Sequence, residues 1–135
     1  MATRILIADD DSMIRQLLRR VLEDHADWTV CAEAVNGVDA VAKVNDCAPD
    51  VIVMDLAMPR MNGLEAARQI SQAKPDVPML LLTVQEVSNQ LFREARTAGL
   101  RGAVSKGTRT EVLKGIEALL RRETYFCIDG AMLVT

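Results

Sequence analysis

Short, almost wholly apolar runs return five times along the chain, each followed by a longer stretch whose apolar residues recur at helical spacing. That alternation is what most narrows the choice of fold. Runs buried on both faces read as strands of a parallel sheet, and the periodic stretches between them as the helices that cross over and cover it. The runs are RILIA (4–8), TVCAEA (29–34), DVIVMD (50–55), PMLLLT (78–83) and GAVS (102–105). Met13, Ile14, Leu17, Leu18, Val21 and Leu22 predict the first helix, behind Asp11 or Ser12 as N-cap. Later helices follow from Val38, Val41 and Val44 after Asn36 and Gly37, and from Leu64, Ala67 and Ile70 after Gly63. Leu91, Phe92, Ala95 and Ala98 before Gly99 predict the next, and Val112, Leu113, Ile116, Leu119 and Leu120 after Thr108 the last. Five β/α units thus fill residues 4 to about 122. The tail TYFCIDGAMLVT completes no sixth unit in this reading and is expected to be a packed extension.

The 135 residues, half of them apolar, suffice for one domain with its own core. With 16 basic and 19 acidic side chains there is no general electrostatic reason for this chain to bind nucleic acid or an anionic membrane. The charge is uneven: residues 1–60 hold 6 basic and 11 acidic side chains, which makes that half the place to look for a cation. Cys31, Cys47 and Cys127 lie far apart, with no CxxC and a single histidine, so neither a disulfide framework nor a zinc site is indicated and buried thiols are expected. The N-terminus fits neither a signal peptide nor a membrane span, and a cytoplasmic location is expected.

In an open α/β sheet, ligands gather beyond the carboxyl ends of the strands. The residues that end the runs are Asp9 and Asp10 after the first, Asp55 after the third, Thr83 after the fourth and Lys106 after the fifth. Converging carboxylates repel one another, and a hard divalent cation, Mg²⁺, is the usual remedy. A carboxylate so held can attack a phosphoryl group while a lysine and a hydroxyl answer the charge on its oxygens. Singly, each residue has a plainer reading: a strand-end Asp or Thr often caps the next helix, and a loop lysine is often only solvated. Their combination at one sheet edge reverses that preference.

These motifs resemble the receiver domains of two-component response regulators. The likeness is carried by ILIADDDSMIR, by VIVMDLAMPRMNGLE, by LLLT and by AVSKG, in this order over residues 4–122. It implies a flavodoxin-like, doubly wound (β/α)5 fold with a five-stranded parallel sheet in the order 2-1-3-4-5, an order the runs alone do not give. It implies that Asp55 is the phosphoacceptor, that Asp10 binds Mg²⁺ directly and Asp9 through water, and that Asp55 and the backbone carbonyl of Ala57 complete the metal site. Lys106 would pair with the acceptor or its phosphate, Thr83 would be the switch hydroxyl, and Asp11 is left as a helix cap. The implied donor is a sensor histidine kinase, or a small phosphodonor such as acetyl phosphate; homodimerisation on phosphorylation is a further partnership. The responding surface would be helix four, strand five and helix five, about residues 86–122.

The phrase GLRGAVSKGTRTEVLKGIEALL is closest to receivers that precede a LuxR-type helix-turn-helix. Residues 1–122 are therefore expected to form the receiver, and 123–135 an extension or the start of a linker to an output domain that would bind DNA. A receiver that stands alone remains the alternative. Three positions depart from the commonest pattern: Ala103 stands where many receivers carry an aromatic switch residue, Gly107 follows the lysine in place of proline, and Val84 follows Thr83. Phosphatases of the haloacid dehalogenase type share the aspartyl phosphate, but carry a second acid where this chain has Ala57, which argues against an enzyme with turnover. A degenerate receiver that only binds proteins is disfavoured, since all the acidic residues and the lysine are kept.

Overall fold

A computed structural model describes residues 2–105, 109–128 and 131–134. The strands and helices alternate: β1 (Thr3–Ala8), α1 (Ser12–Glu23), β2 (Trp28–Ala34), α2 (Gly37–Cys47), β3 (Val51–Asp55), α3 (Gly63–Ala73), β4 (Met79–Thr83), α4 (Asn89–Thr97), β5 (Gly102–Ser105) and α5 (Arg109–Leu120), then β6 (Tyr125–Ile128) and β7 (Ala131–Val134). The sheet order is β2-β1-β3-β4-β5-β6-β7. Its first five strands are parallel and lie in the expected 2-1-3-4-5 order.

The sheet does not stop at β5. The tail completes the sixth strand that the sequence reading withheld: β6 pairs parallel with β5, and β7 returns antiparallel to β6. The turn out of α5 passes through Arg122 at φ 65°, and the Tyr125 N–H then donates to the Arg101 carbonyl at 2.9 Å, which sets the tail on the β5 edge.

Successive strand residues point to opposite faces, and the core divides accordingly. Leu6, Ala8, Ile52, Met54, Met79, Leu81, Ala103 and Phe126 face α2, α3 and α4. Ile5, Ile7, Val51, Val53, Leu80, Leu82, Val104 and Tyr125 face α1 and α5. All residues of β3 and β4 are buried, as strands covered on both faces must be.

Two helices use their apolar residues differently from expectation. In α1 only Leu22 is fully buried, and Met13 and Leu17 are 68% and 50% exposed. In α2 the buried stripe is Gly37, Ala40, Val44 and Cys47, with Val38 turned outward, because the start of the helix is set by Asn36, whose side chain accepts from the Asp39 N–H at 2.8 Å. Cys31 of β2 and Cys47 of α2 meet as a disulfide with Cα atoms 6.1 Å apart, so the expectation of buried thiols is corrected for this pair. Spacing along the chain could not reveal a contact made between an edge strand and the last turn of a helix. Cys127 is free and half-buried.

Candidate functional site

The described residues bury four polar or charged side chains: Asp9, Asn36, Asp55 and Thr83. Burying such groups is costly unless they are satisfied, so each calls for a reason. Asn36 has one as the N-cap of α2. The other three lie at the carboxyl ends of neighbouring strands: Asp9 directly follows β1, and Asp55 and Thr83 end β3 and β4.

Asp9 leaves β1 with its N–H on the Ala34 carbonyl at 3.0 Å. Its carboxylate accepts from the Asp11 N–H at 2.9 Å, and its carbonyl accepts from the Arg15 guanidinium at 2.7 Å. Arg15 was not singled out in the sequence; the only signal there was its place about one turn into the first helix. Asp11 is spent on helix capping, its Oδ1 accepting from Met13 N–H at 2.9 Å, as the sequence suggested. Asp10, between them, is exposed.

Asp55 ends β3 opposite Leu82, and the next residue, Leu56, donates its N–H to the Leu82 carbonyl at 2.8 Å. Asp55 is not a helix cap. That role belongs to Asn62, whose side chain accepts from Glu65 N–H at 2.9 Å while Glu65 reaches back to the Asn62 N–H at 3.2 Å, a reciprocal capping box. The start of α3 sits directly behind β3, and a Cβ on Gly63 would run into the Asp55 carbonyl and the Leu81 side chain. Only glycine permits that approach without a shift.

Thr83 is 2% exposed and stands in register with Ser105. Its Oγ1 accepts from the Gln85 N–H at 3.2 Å. Capping of α4 falls instead to Ser88, which accepts from Leu91 N–H at 3.1 Å. Capping of α3 and α4 thus falls to residues other than Asp55 and Thr83.

One carboxylate oxygen from each of Asp9, Asp10 and Asp55 lies within 4.8 Å of the others. A cation that holds oxygens at about 2.1 Å spans about 4 Å between opposite ligands, so this trio fits Mg²⁺ with small adjustment, and an all-oxygen donor set is the one such an ion prefers. Ala57 is exposed in the loop that follows β3. Lys106 and Gly107 lie outside the described residues. Val84 is 78% exposed, at the surface next to Thr83. The remaining candidates fall to packing: Met54 and Met58 are buried in the core, Met61 packs against it, and His25 is exposed and stacked on Trp28 with ring centroids 4.0 Å apart.

Comparison with known proteins points the same way. Residues 5–118 match the family model described as the response regulator receiver domain. Over 128 residues the chain is 37% identical to the response regulator UvrY of Escherichia coli K12, covering 94% of this chain and 58% of that protein. The transcriptional regulatory protein YxjL of Bacillus subtilis is 37% identical over 124 residues, 91% of this chain and 56% of that one. The chain therefore spans a little over half the length of these relatives. A crystal structure of a LuxR-family two-component response regulator from Aurantimonas sp. SI85-9A1 superposes with a TM-score of 0.86 at 32% identity, covering 90% of this chain and 87% of that one.

Proposed function

The chain belongs to the response regulator receiver domain family, close to the LuxR-type two-component regulators, and from that premise we propose that it accepts a phosphoryl group on Asp55 in a Mg²⁺-dependent reaction. The observation that carries this reading is the burial of Asp9, Asp55 and Thr83 at one sheet edge, with Asp10 completing a trio of carboxylates.

An Asp55 oxygen forms the new P–O bond as the P–N bond of a phosphohistidine on a sensor kinase breaks, and the imidazole leaves with a proton. Asp9, Asp10, Asp55 and the Ala57 carbonyl would hold Mg²⁺, which when bound neutralises charge on the phosphoryl oxygens. Thr83 donates its hydroxyl to one of those oxygens, and Lys106, assigned from its motif, pairs with another. Asp9 is fixed for its part by the Asp11 N–H and by Arg15.

The product is a signal: phosphorylation adds about two negative charges, to which Thr83 and the loop beyond it respond. The α4–β5–α5 surface passes this on, to a second copy of the chain or to a DNA-binding output domain of the kind LuxR-type regulators carry. No helix among the described residues is long and apolar enough to cross a membrane, and we place the reaction in the cytoplasm with its kinase's phosphodonor domain.

Phosphoramidate, which presents the same P–N bond, tests the transfer. With Mg²⁺ it should add one phosphoryl mass to the protein, and a chelator should stop the addition. Transfer at an equal rate in chelator would overturn the metal's part in the reading.

A further inference from the structure

Cys31 and Cys47 come together through two departures from regular backbone. Along the β1–β2 pair Ile5 stands opposite Val30 and Leu6 opposite Ala32, so Cys31 is passed over as the extra residue of a bulge. Bulges are rare between parallel strands, and they re-aim a side chain. Here two successive residues, Cys31 and Ala32, pack on the α2 side of the sheet, where strict alternation would put one. Cys47 is the last residue of α2, and Ala48 after it turns the chain out at φ 48° and ψ 63°, a left-handed conformation that usually falls to glycine.

The backbone holds this pair in place without help from sulfur. The Arg4 guanidinium of β1 donates to the Cys47 carbonyl at 3.1 and 2.7 Å. Arg4 is itself fixed, its N–H donating to the Asp50 carboxylate and its carbonyl accepting from the Asp50 N–H, both at 2.8 Å. The Cα atoms of the two cysteines are 6.1 Å apart, inside the span of about 4.4–6.8 Å that a disulfide bridges. After reduction the two thiols therefore stay within reach of one another, and the bond can break and form again without refolding. Access is one-sided: Cys31 is half-buried on β2, an edge strand of the sheet, whereas Cys47 is only 8% exposed.

We propose that Cys31 and Cys47 are a reversible oxidation site, converted between dithiol and disulfide by exchange with a small disulfide, and that the bond fastens the end of α2 to the edge strand β2. In the cytoplasm, where the proposed function places the chain, thiols are kept reduced and a disulfide is a transient, responsive state; the inference rests on that placement and not on Asp55. The Cys31 thiolate attacks one sulfur of a disulfide such as oxidised glutathione and expels one thiolate. The Cys47 thiolate then attacks the Cys31 sulfur of the mixed disulfide and expels the second. Two cysteine protons end on the two thiols released, and two electrons pass from the protein to the oxidant. The Gly37 N–H on the Met61 carbonyl at 3.1 Å already holds the start of α2, so oxidation pins the helix at both ends.

The full chain is reduced, equilibrated without oxygen in mixtures of reduced and oxidised glutathione, quenched with N-ethylmaleimide and mapped by peptide mass. The linked Cys31–Cys47 peptide should rise with the share of oxidised glutathione and vanish again when the mixture is made reducing. Cys47→Ser should trap glutathione on Cys31, the accessible member, while Cys31→Ser should leave Cys47 a free thiol. Deuterium uptake at the end of α2, residues 44–48, should be roughly tenfold slower in the oxidised chain than in the reduced one, as expected when a cross-link closes a local opening. The double variant Cys31→Ser with Cys47→Ser should show no such dependence on the mixture. A folded wild-type chain with both thiols free in the most oxidising mixture overturns the inference, and so does a link that survives the most reducing one. Equal uptake in the two states overturns the fastening of α2. Labelling of Asp55 by acetyl phosphate on the same samples decides the proposed phosphoacceptor separately, since none of these outcomes depends on it.

Discussion

Asp10 is the exposed member of a trio whose other carboxylates are buried, so it can be changed with the least disturbance to the fold. Asp10→Asn should weaken Mg²⁺ binding by roughly tenfold or more in a calorimetric titration, on the scale of disturbing a metal site, and should leave or raise stability without metal, since it removes like-charge repulsion. Identical titrations for variant and wild type would contradict its role as a ligand. Gly63 is constrained from the other side. Gly63→Ala forces a Cβ against the Asp55 carbonyl and should cost about 1–3 kcal/mol in denaturant unfolding, the usual penalty for overpacking. Ala57, exposed two residues past Asp55, carries no polar side chain with which to orient a hydrolytic water at the proposed acceptor. Ala57→Asn, which does, should shorten the phosphorylated lifetime measured after donor removal, and an unchanged decay would show that this position does not govern water access. Asp55, the acidic pair and Thr83 stood out in the sequence because each ends or follows an apolar run. Arg15 was not, because a salt-bridging arginine on a helix looks like any other until Asp9 is seen beside it.

Among the elements, α1 is held to β2 by charge as well as by packing. Glu33 accepts from Arg15 at 3.0 Å and from Arg19 at 2.8 Å. Partial burial pushes Glu33 upward, but the hydrogen bonds and charges of Arg19 and Arg15 outweigh it and hold the carboxyl below its ordinary value. A lowered folded value means that the clamp contributes fully above the unfolded value and is lost as pH falls through the folded one. Glu33→Gln should therefore cost up to about 1 kcal/mol at neutral pH, and the difference from wild type should shrink below the ordinary carboxyl value of 4.5. A difference that persists at lower pH would contradict the electrostatic account. The helices were legible from period alone, but their faces were not. Val38 satisfies helical spacing in α2 yet points outward, because the Asn36 cap and the contact of the Gly37 N–H with the Met61 carbonyl at 3.1 Å fix the rotation of the helix. Met13 and Leu17 likewise extend an apolar stripe on α1 beyond what the core uses.

At the scale of the whole molecule, the five β/α units follow from local pattern, while what lies beyond them depends on pairing between distant residues. Nothing in TYFCIDGAMLVT says that Phe126 will lie beside Ala103, and a strand on a sheet edge is specified by its partner as much as by its own residues. The Cys31–Cys47 pair was missed for the same reason. The strand order came from resemblance, and the structure reproduces it across the first five strands before adding two more. What the sheet achieves is to bring the ends of β1, β3 and β4 to one edge, with Asp9, Asp55 and Thr83 buried there. The most direct test of that account is to incubate the chain with Mg²⁺ and acetyl phosphate and map the product by peptide mass. The account predicts one phosphoryl group, found on Asp55, and none on Asp55→Asn; full labelling of Asp55→Asn, or a wild-type label on Asp9 or Asp10, would contradict it.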